Sequence, residues 1–157
     1  MVNNETCSLS ILTINHQLLT KMARILAIDY GGKRTGIAVT DPLQIIATGL
    51  ATIDSKELIP YLKKYIAAEE VELIIIGLPV NWDDSDTHGT PLVKKVIKKM
   101  KQALPEMPIK TVDERYTSKM AKDAMLEMGM KKKDRRVKGN VDIIAATIIL
   151  QEYLQNH

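Results

Sequence analysis

Residues 72–77 read ELIIIG, and so short and continuous an apolar run is the pattern of a strand covered on both faces. Such a strand lies inside a sheet beside parallel neighbours with helices packed over it, which restricts the chain to an α/β architecture. The flanking segments supply the rest of that sheet. Residues 24–29 (RILAID) and 36–40 (GIAVT) are apolar runs joined by YGGKRT, the pattern of a hairpin. Asp41-Pro42 marks a turn, and residues 44–53 (QIIATGLATI) extend as a third antiparallel strand. Residues 108–112 (PIKTV) form the fifth strand.

Helical spacing occupies the intervals. Ser55 is placed to cap a helix over 56–68, with Leu58, Ile59, Leu62, Tyr65 and Ile66 on one face. A second helix, over 90–104, turns Leu92, Val93, Val96, Ile97 and Met100 inward. Its other side carries Lys94, Lys95, Lys98, Lys99 and Lys101, a row that reads as a solvated face. A third starts at Thr117 or Ser118 and stops at Gly129. Residues 131–138 (KKKDRRVK) are too charged to pack and read as an exposed basic loop. Asn140 then caps a last helix whose apolar surface includes Ile143, Ile144, Ile148, Leu150 and Leu154. The expected fold class is α/β, a five-stranded mixed sheet of three antiparallel strands followed by parallel ones, flanked by helices.

A chain of 157 residues with 45% hydrophobic residues suits one domain, expected over residues 23–157. Residues 1–22 are expected to be a disordered extension or to reflect a misplaced start, Met22 itself being a natural one. The single cysteine, Cys7, excludes an internal disulfide and suits a reducing cytoplasm. No segment approaches the roughly 18 apolar residues of a membrane span, so no membrane partner is expected. With 22 Lys and Arg against 19 Asp and Glu, attraction to a polyanion has to come from where the cations sit rather than from their sum.

Three acids have placements that suggest chemistry. Asp29 ends the first strand before a glycine-rich turn, and Glu114 follows the fifth strand in the same way. The carboxyl ends of parallel strands converge on one crevice, so the two acids meet there. Asp142 falls in the first turn of the last helix, where it would at least complement the helix dipole. Three acids in one cleft repel unless a cation bridges them, and an all-oxygen set favours Mg²⁺ or Mn²⁺. Zinc is disfavoured because His16 and His157 lie towards the ends and His88 stands alone in a loop. Two such ions about 3.5 to 4 Å apart suit hydrolysis of a phosphodiester without a covalent enzyme intermediate. Lys33, Arg34, Arg115 and the loop cations Lys131, Lys132, Lys133, Arg135, Arg136 and Lys138 would hold the phosphates of a nucleic acid.

Taken together, IDYGGKRTGIAVTD (28–41), IIIGLPVN (74–81), TVDERYTS (111–118) and VDIIAATIILQEYL (141–154) closely resemble the YqgF family, also called RuvX. The resemblance spans nearly all of residues 23–154 and implies a ribonuclease H-like fold. It also implies nuclease activity on pre-16S ribosomal RNA or on Holliday junctions, with catalytic Asp29, Glu114 and Asp142 and with Asp113 beside Glu114. Two departures stand out. After Asn81 the family has an Asp-Gly pair, whereas this chain has Trp82-Asp83-Asp84-Ser85-Asp86. The related RuvC resolvases end strand four on a catalytic Glu, whereas this chain reads Gly77-Leu78-Pro79, so the second acid has to come from strand five.

Two other readings remain open on sequence. The Asp-x-Gly hairpin also resembles the phosphate loop of actin-like and Hsp70-like ATPases, but those bind nucleotide between two such domains and this chain has length for one. A ribosome-assembly factor that binds RNA without cutting it is the second. Junction cleavage requires a two-fold dimer, whereas RNA processing is compatible with a monomer or a homodimer.

Overall fold

In a computed structural model, residues 23–81, 86–114, 117–127, 129, 131–135 and 137–157 are described. Their strands are β1 (Arg24–Tyr30), β2 (Arg34–Thr40), β3 (Ala47–Asp54), β4 (Val71–Leu78) and β5 (Ile109–Asp113). The sheet order is β3-β2-β1-β4-β5, with β1–β2 and β2–β3 antiparallel and β1–β4 and β4–β5 parallel. This is the expected mixed sheet in the ribonuclease H-like arrangement. The ELIIIG strand is indeed internal, with Leu73 through Gly77 buried.

The helices are α1 (Leu58–Ala68), α2 (Thr90–Ala103), α3 (Thr117–Glu127), α4 (Lys132–Arg135) and α5 (Lys138–Asn156). Strand alternation divides the core into two layers. On one face Leu26, Ile28, Ile37, Val39, Ile74 and Ile76 pack against Leu58 and Leu62 of α1 and Val93, Val96 and Met100 of α2. On the other, Ile25, Ala27, Ala38, Leu73 and Ile75 meet Ala146, Ile149, Leu150 and Tyr153 of α5. On that second face Gly36, Ala38 and Gly49 are small, and there α5 lies almost on the backbone. A Cβ on Gly36 would overlap the carbonyl of Asp142, and one on Gly49 would overlap the Ile143 side chain.

The structure moves several boundaries, each for a local reason. The third strand starts at Ala47 rather than residue 44. The Asp41 carboxylate accepts the N–H groups of Leu43, Ile45 and Ile46, and Gln44 adopts φ 57°, so residues 41–46 form a loop. Ser55 does not cap the first helix. Its hydroxyl donates to the Gly31 carbonyl at 2.7 Å and meets the Thr35 hydroxyl at 2.9 Å, leaving Asp54 to accept the Lys56 N–H of a 3₁₀ turn before α1. The basic loop contains a four-residue helix, α4, and the last helix begins at Lys138 rather than after Asn140. His157 is not loose: its ring stacks on Tyr153 with centroids 4.2 Å apart. Gly129 ends α3 as expected, at φ 66°. The expectations for residues 1–22, including Cys7 and His16, and for residues 82–85 lie outside the described residues. No helix among the described residues is long and apolar enough to cross a membrane.

Candidate active site

The carboxyl ends of β1, β4 and β5 lie side by side because these strands are parallel neighbours. Asp29 is paired with Gly36 on one side and lies one residue beyond the Ile28–Ile76 pair on the other. Glu114 directly follows β5, where its N–H donates to the Leu78 carbonyl at 3.2 Å. Its side chain folds back over β4: a Cβ on Gly77 would fall 2.5 Å from Glu114 Oε2. Glycine at 77 therefore makes the room in which the Glu114 carboxyl lies. The position at the end of strand four supplies no acid, but it lets one from strand five lie there instead.

Asp29 and Glu114 share a side-chain hydrogen bond, which two carboxyl groups can form only around a proton. Burial pushes the Glu114 acid up to about 9, with the charge of Asp29 and the shared hydrogen bond adding to it. Asp29 is also raised, chiefly by burial; the hydrogen bond from Glu114 opposes the rise and the charge of Asp142 adds to it.

Asp142 reaches this corner through the glycine at 36, where the α5 backbone rests against β2. It lies in the second turn of α5 rather than the first, because the helix begins at Lys138, so a terminal dipole contact does not account for its place. Its carboxylate instead accepts from Arg34 Nε at 2.9 Å, with the two side chains 22% and 41% exposed. Folding thus gathers Asp29, Glu114 and Asp142 from three separate elements. Among the described residues, however, no three of the His, Cys, Asp and Glu side chains are close enough to hold one ion. Asp142 is engaged by Arg34, whereas Asp29 and Glu114 are hydrogen-bonded to each other.

Asp113, at the end of β5, is exposed, and it is not among the groups that raise Asp29 or Glu114. Lys33 is exposed at the hairpin, which closes with Gly31 N–H to the Arg34 carbonyl at 2.9 Å. Gly31 is needed there, since a Cβ would lie 2.6 Å from that carbonyl oxygen. Lys131, Lys132, Lys133 and Lys138 are exposed around α4 and the start of α5. Arg115, Arg136 and the side chain of Arg135 lie outside the described residues. Sequence reasoning missed the parts of Gly36 and Gly77. For Gly77 the available signal was a glycine inside a strand that is otherwise all leucine and isoleucine after Glu72, since a strand glycine often marks a close approach by another group.

A pair of partly buried carboxyls sharing a proton fits a hard divalent cation, which would take the place of that proton and remove the repulsion. The profile of the family described as "RuvX: Holliday junction resolvase" matches residues 23–156. A Bacteroides fragilis protein named "Putative pre-16S rRNA nuclease" is 51% identical over 134 residues, 85% of this chain and 97% of that protein. Relatives of the same name from Bacteroides thetaiotaomicron (50% identical, 86% of this chain and 98% of that one) and Flavobacterium psychrophilum (51%, 85% and 97%) match as fully. Among solved structures, Thermus thermophilus RuvC in complex with a Holliday junction substrate aligns over 85% of this chain and 96% of that one. It does so at 13% identity and a TM-score of 0.49, too distant a likeness to inform on chemistry.

Proposed function

The chain belongs to the RuvX family, and from that premise we propose that it is a metal-dependent nuclease hydrolysing phosphodiester bonds in precursor 16S ribosomal RNA. The observation that carries this reading is the proton-sharing pair Asp29–Glu114 at the carboxyl ends of adjacent parallel strands, with the charge of Asp142 acting on Asp29. Mg²⁺ or Mn²⁺ held by Asp29 and Glu114, with Asp142 as a third ligand, would activate water and offset charge on the scissile phosphate. The protein's own contribution is positional. Asp29 is fixed by its pairing with Gly36 and by the Ile28–Ile76 pair just before it, and Glu114 is held over Gly77. Glu114 has to release its proton before it can ligate. Lys33 and Arg34 lie on the hairpin that begins one residue after Asp29 and suit the backbone phosphates beside the cleavage point. Lys131, Lys132, Lys133, Arg135 and Lys138, with Arg115 and Arg136, would extend that hold. Asp113 acts in this scheme as a neighbour of Glu114, and the working compartment is the cytoplasm.

Purified protein with Mn²⁺ or Mg²⁺ is expected to cut a precursor-like RNA, and Asp29→Asn to stop the cutting while the domain stays folded. Equal cleavage by Asp29→Asn would defeat the assignment. The family description supports a second reading, cleavage of branched DNA. RNA and a four-way DNA junction offered side by side, with the mass of the protein measured in solution, separate the two: symmetric cutting of the junction needs a two-fold dimer.

A further inference from the structure

From Lys94 to Lys101 on α2, every exposed residue is a lysine: Lys94, Lys95, Lys98, Lys99 and Lys101. The helix has no acidic residue to balance them. Lys94 pairs with Asp86 at 2.8 Å, and among the described residues no ion pair engages the other four. A row of like charges on a helix is mutually repulsive, and a polyanion relieves it.

The position of the row distinguishes it from an ordinary solvated face. α2 follows β4, so it starts at the end of the sheet that carries the acids and runs back along the outside. Its first turn touches the site hairpin: Leu92 Cδ1 lies 3.9 Å from where a Cβ on Gly32 would stand, next to exposed Lys33. The hollow between α3 and α5, by contrast, is lined by Asp123, Glu127 and Glu152 and does not attract a phosphate chain. A phosphate chain leaving the crevice past Lys33 is therefore attracted along α2 and repelled from that hollow.

We propose that the α2 lysine row is a second nucleic-acid contact surface, which takes the backbone of the substrate strand after it leaves the Asp29–Glu114 crevice past Lys33. The row rises about 10 Å along the helix axis, a length matching about three phosphates at the spacing along one strand of a duplex. Only a substrate that extends several nucleotides beyond the cleavage point reaches it. The ligand class rests on the nuclease reading, whereas the surface itself can be tested without turnover.

The test uses Lys95→Gln, Lys98→Gln and Lys99→Gln combined in the Asp29→Asn protein, because glutamine keeps helix propensity and removes only charge. Binding of a six-nucleotide and a 25-nucleotide RNA of the same core sequence is measured across a salt series. The long RNA is expected to bind about tenfold more weakly, with the slope of log affinity against log salt reduced by about 2, as for two to three lost phosphate contacts. The short RNA is expected to bind unchanged, and the corresponding triple Arg variant to restore the long one. Equal loss for both lengths, or no loss for either, overturns the proposal. If the lysine-dependent slope is found while the native protein cuts nothing, the contact surface stands and the nuclease reading falls. If the native protein cuts but the slope does not change, the reverse holds.

Discussion

The crevice has two sides built from the same residue type under opposite conditions. On one, Asp29 and Glu114 are partly buried, press against each other and hold a proton that ordinary carboxyls at neutral pH would have lost. On the other, Asp142 stands on a helix within reach of water and has Arg34 as its counter-ion. The first side is unfavourable as it stands and improves when a cation arrives; the second is already satisfied. The difference shows why three acids near one another need not be equivalent ligands. In the proposed site two of them would gain from a metal, and the third would first have to leave its arginine.

The largest expected effect comes from removing the strained side. Asp29→Asn or Glu114→Gln is expected to lower cleavage by on the order of 10³-fold or more, as for loss of a group acting directly on the reaction. Neither should unfold the domain, since each replaces a charge or a shared proton with a neutral group of the same shape. Circular dichroism and turnover measured on one preparation check both halves. A variant that cuts at the native rate would mean that the pair is structural and the contrast with Asp142 has no catalytic content.

Gly77→Ala tests the same side without touching an acid. The new methyl group would sit 2.5 Å from Glu114 Oε2 and 2.8 Å from Ile149 Cδ1, so the glutamate or the helix has to shift. Displacement by about 1 Å can cost ~10²-fold in rate, and the overpacking is expected to cost about 1 to 3 kcal/mol of stability. Turnover and denaturant unfolding report the two separately. Fully retained activity would show that the Glu114 carboxyl does not need its place over β4.

These two experiments also mark how far the sequence could be read. Asp29 and Glu114 were legible because each follows an apolar run, and parallel strands bring such ends together. The sheet was legible for the same reason, since ELIIIG admits almost no other environment. The part of Gly77 was not, because it depends on which strand lies beside β4 and which way a side chain 37 positions later turns. The Arg34–Asp142 pair spans 108 positions and has no local signature at all. Ser55 was misassigned because a serine before a helix is an ordinary cap, and only the neighbouring hairpin reveals that its hydroxyl faces inward.

A smaller effect separates the two sides by pH. The Glu114 acid in the folded chain is raised to about 9, above its value in an unfolded chain, so between the usual carboxylate range and about pH 9 the folded state holds a proton that the unfolded state has released. This stabilising contribution is complete below that window and is lost as pH rises through it. The metal-free protein is therefore expected to melt at progressively lower temperature from mildly acidic to alkaline pH. Glu114→Gln should flatten the trend, and Asp142→Asn should leave it largely in place. Added Mn²⁺ should raise the melting temperature most at the alkaline end, where little proton has to be displaced. A flat native profile would remove the distinction between the paired acids and Asp142.

The smallest effect on stability and the sharpest test of the comparison is Arg34→Gln. The Arg34–Asp142 bridge is partly exposed, so its loss should change stability by no more than about 1 kcal/mol. It should nonetheless release the Asp142 carboxylate toward Asp29, whose charge it already affects. With RNA held at saturation, the Mn²⁺ concentration giving half-maximal cleavage is then expected to fall a few-fold, although Arg34→Gln also removes a cation from the phosphate path and raises KM. A substitution that weakens substrate binding and tightens the metal requirement together is hard to obtain from general damage to the fold, which moves both in the unfavourable direction. If the metal requirement instead stays unchanged while KM rises, Arg34 serves the phosphates alone, and Asp142 joins the acid pair without having to be freed from it.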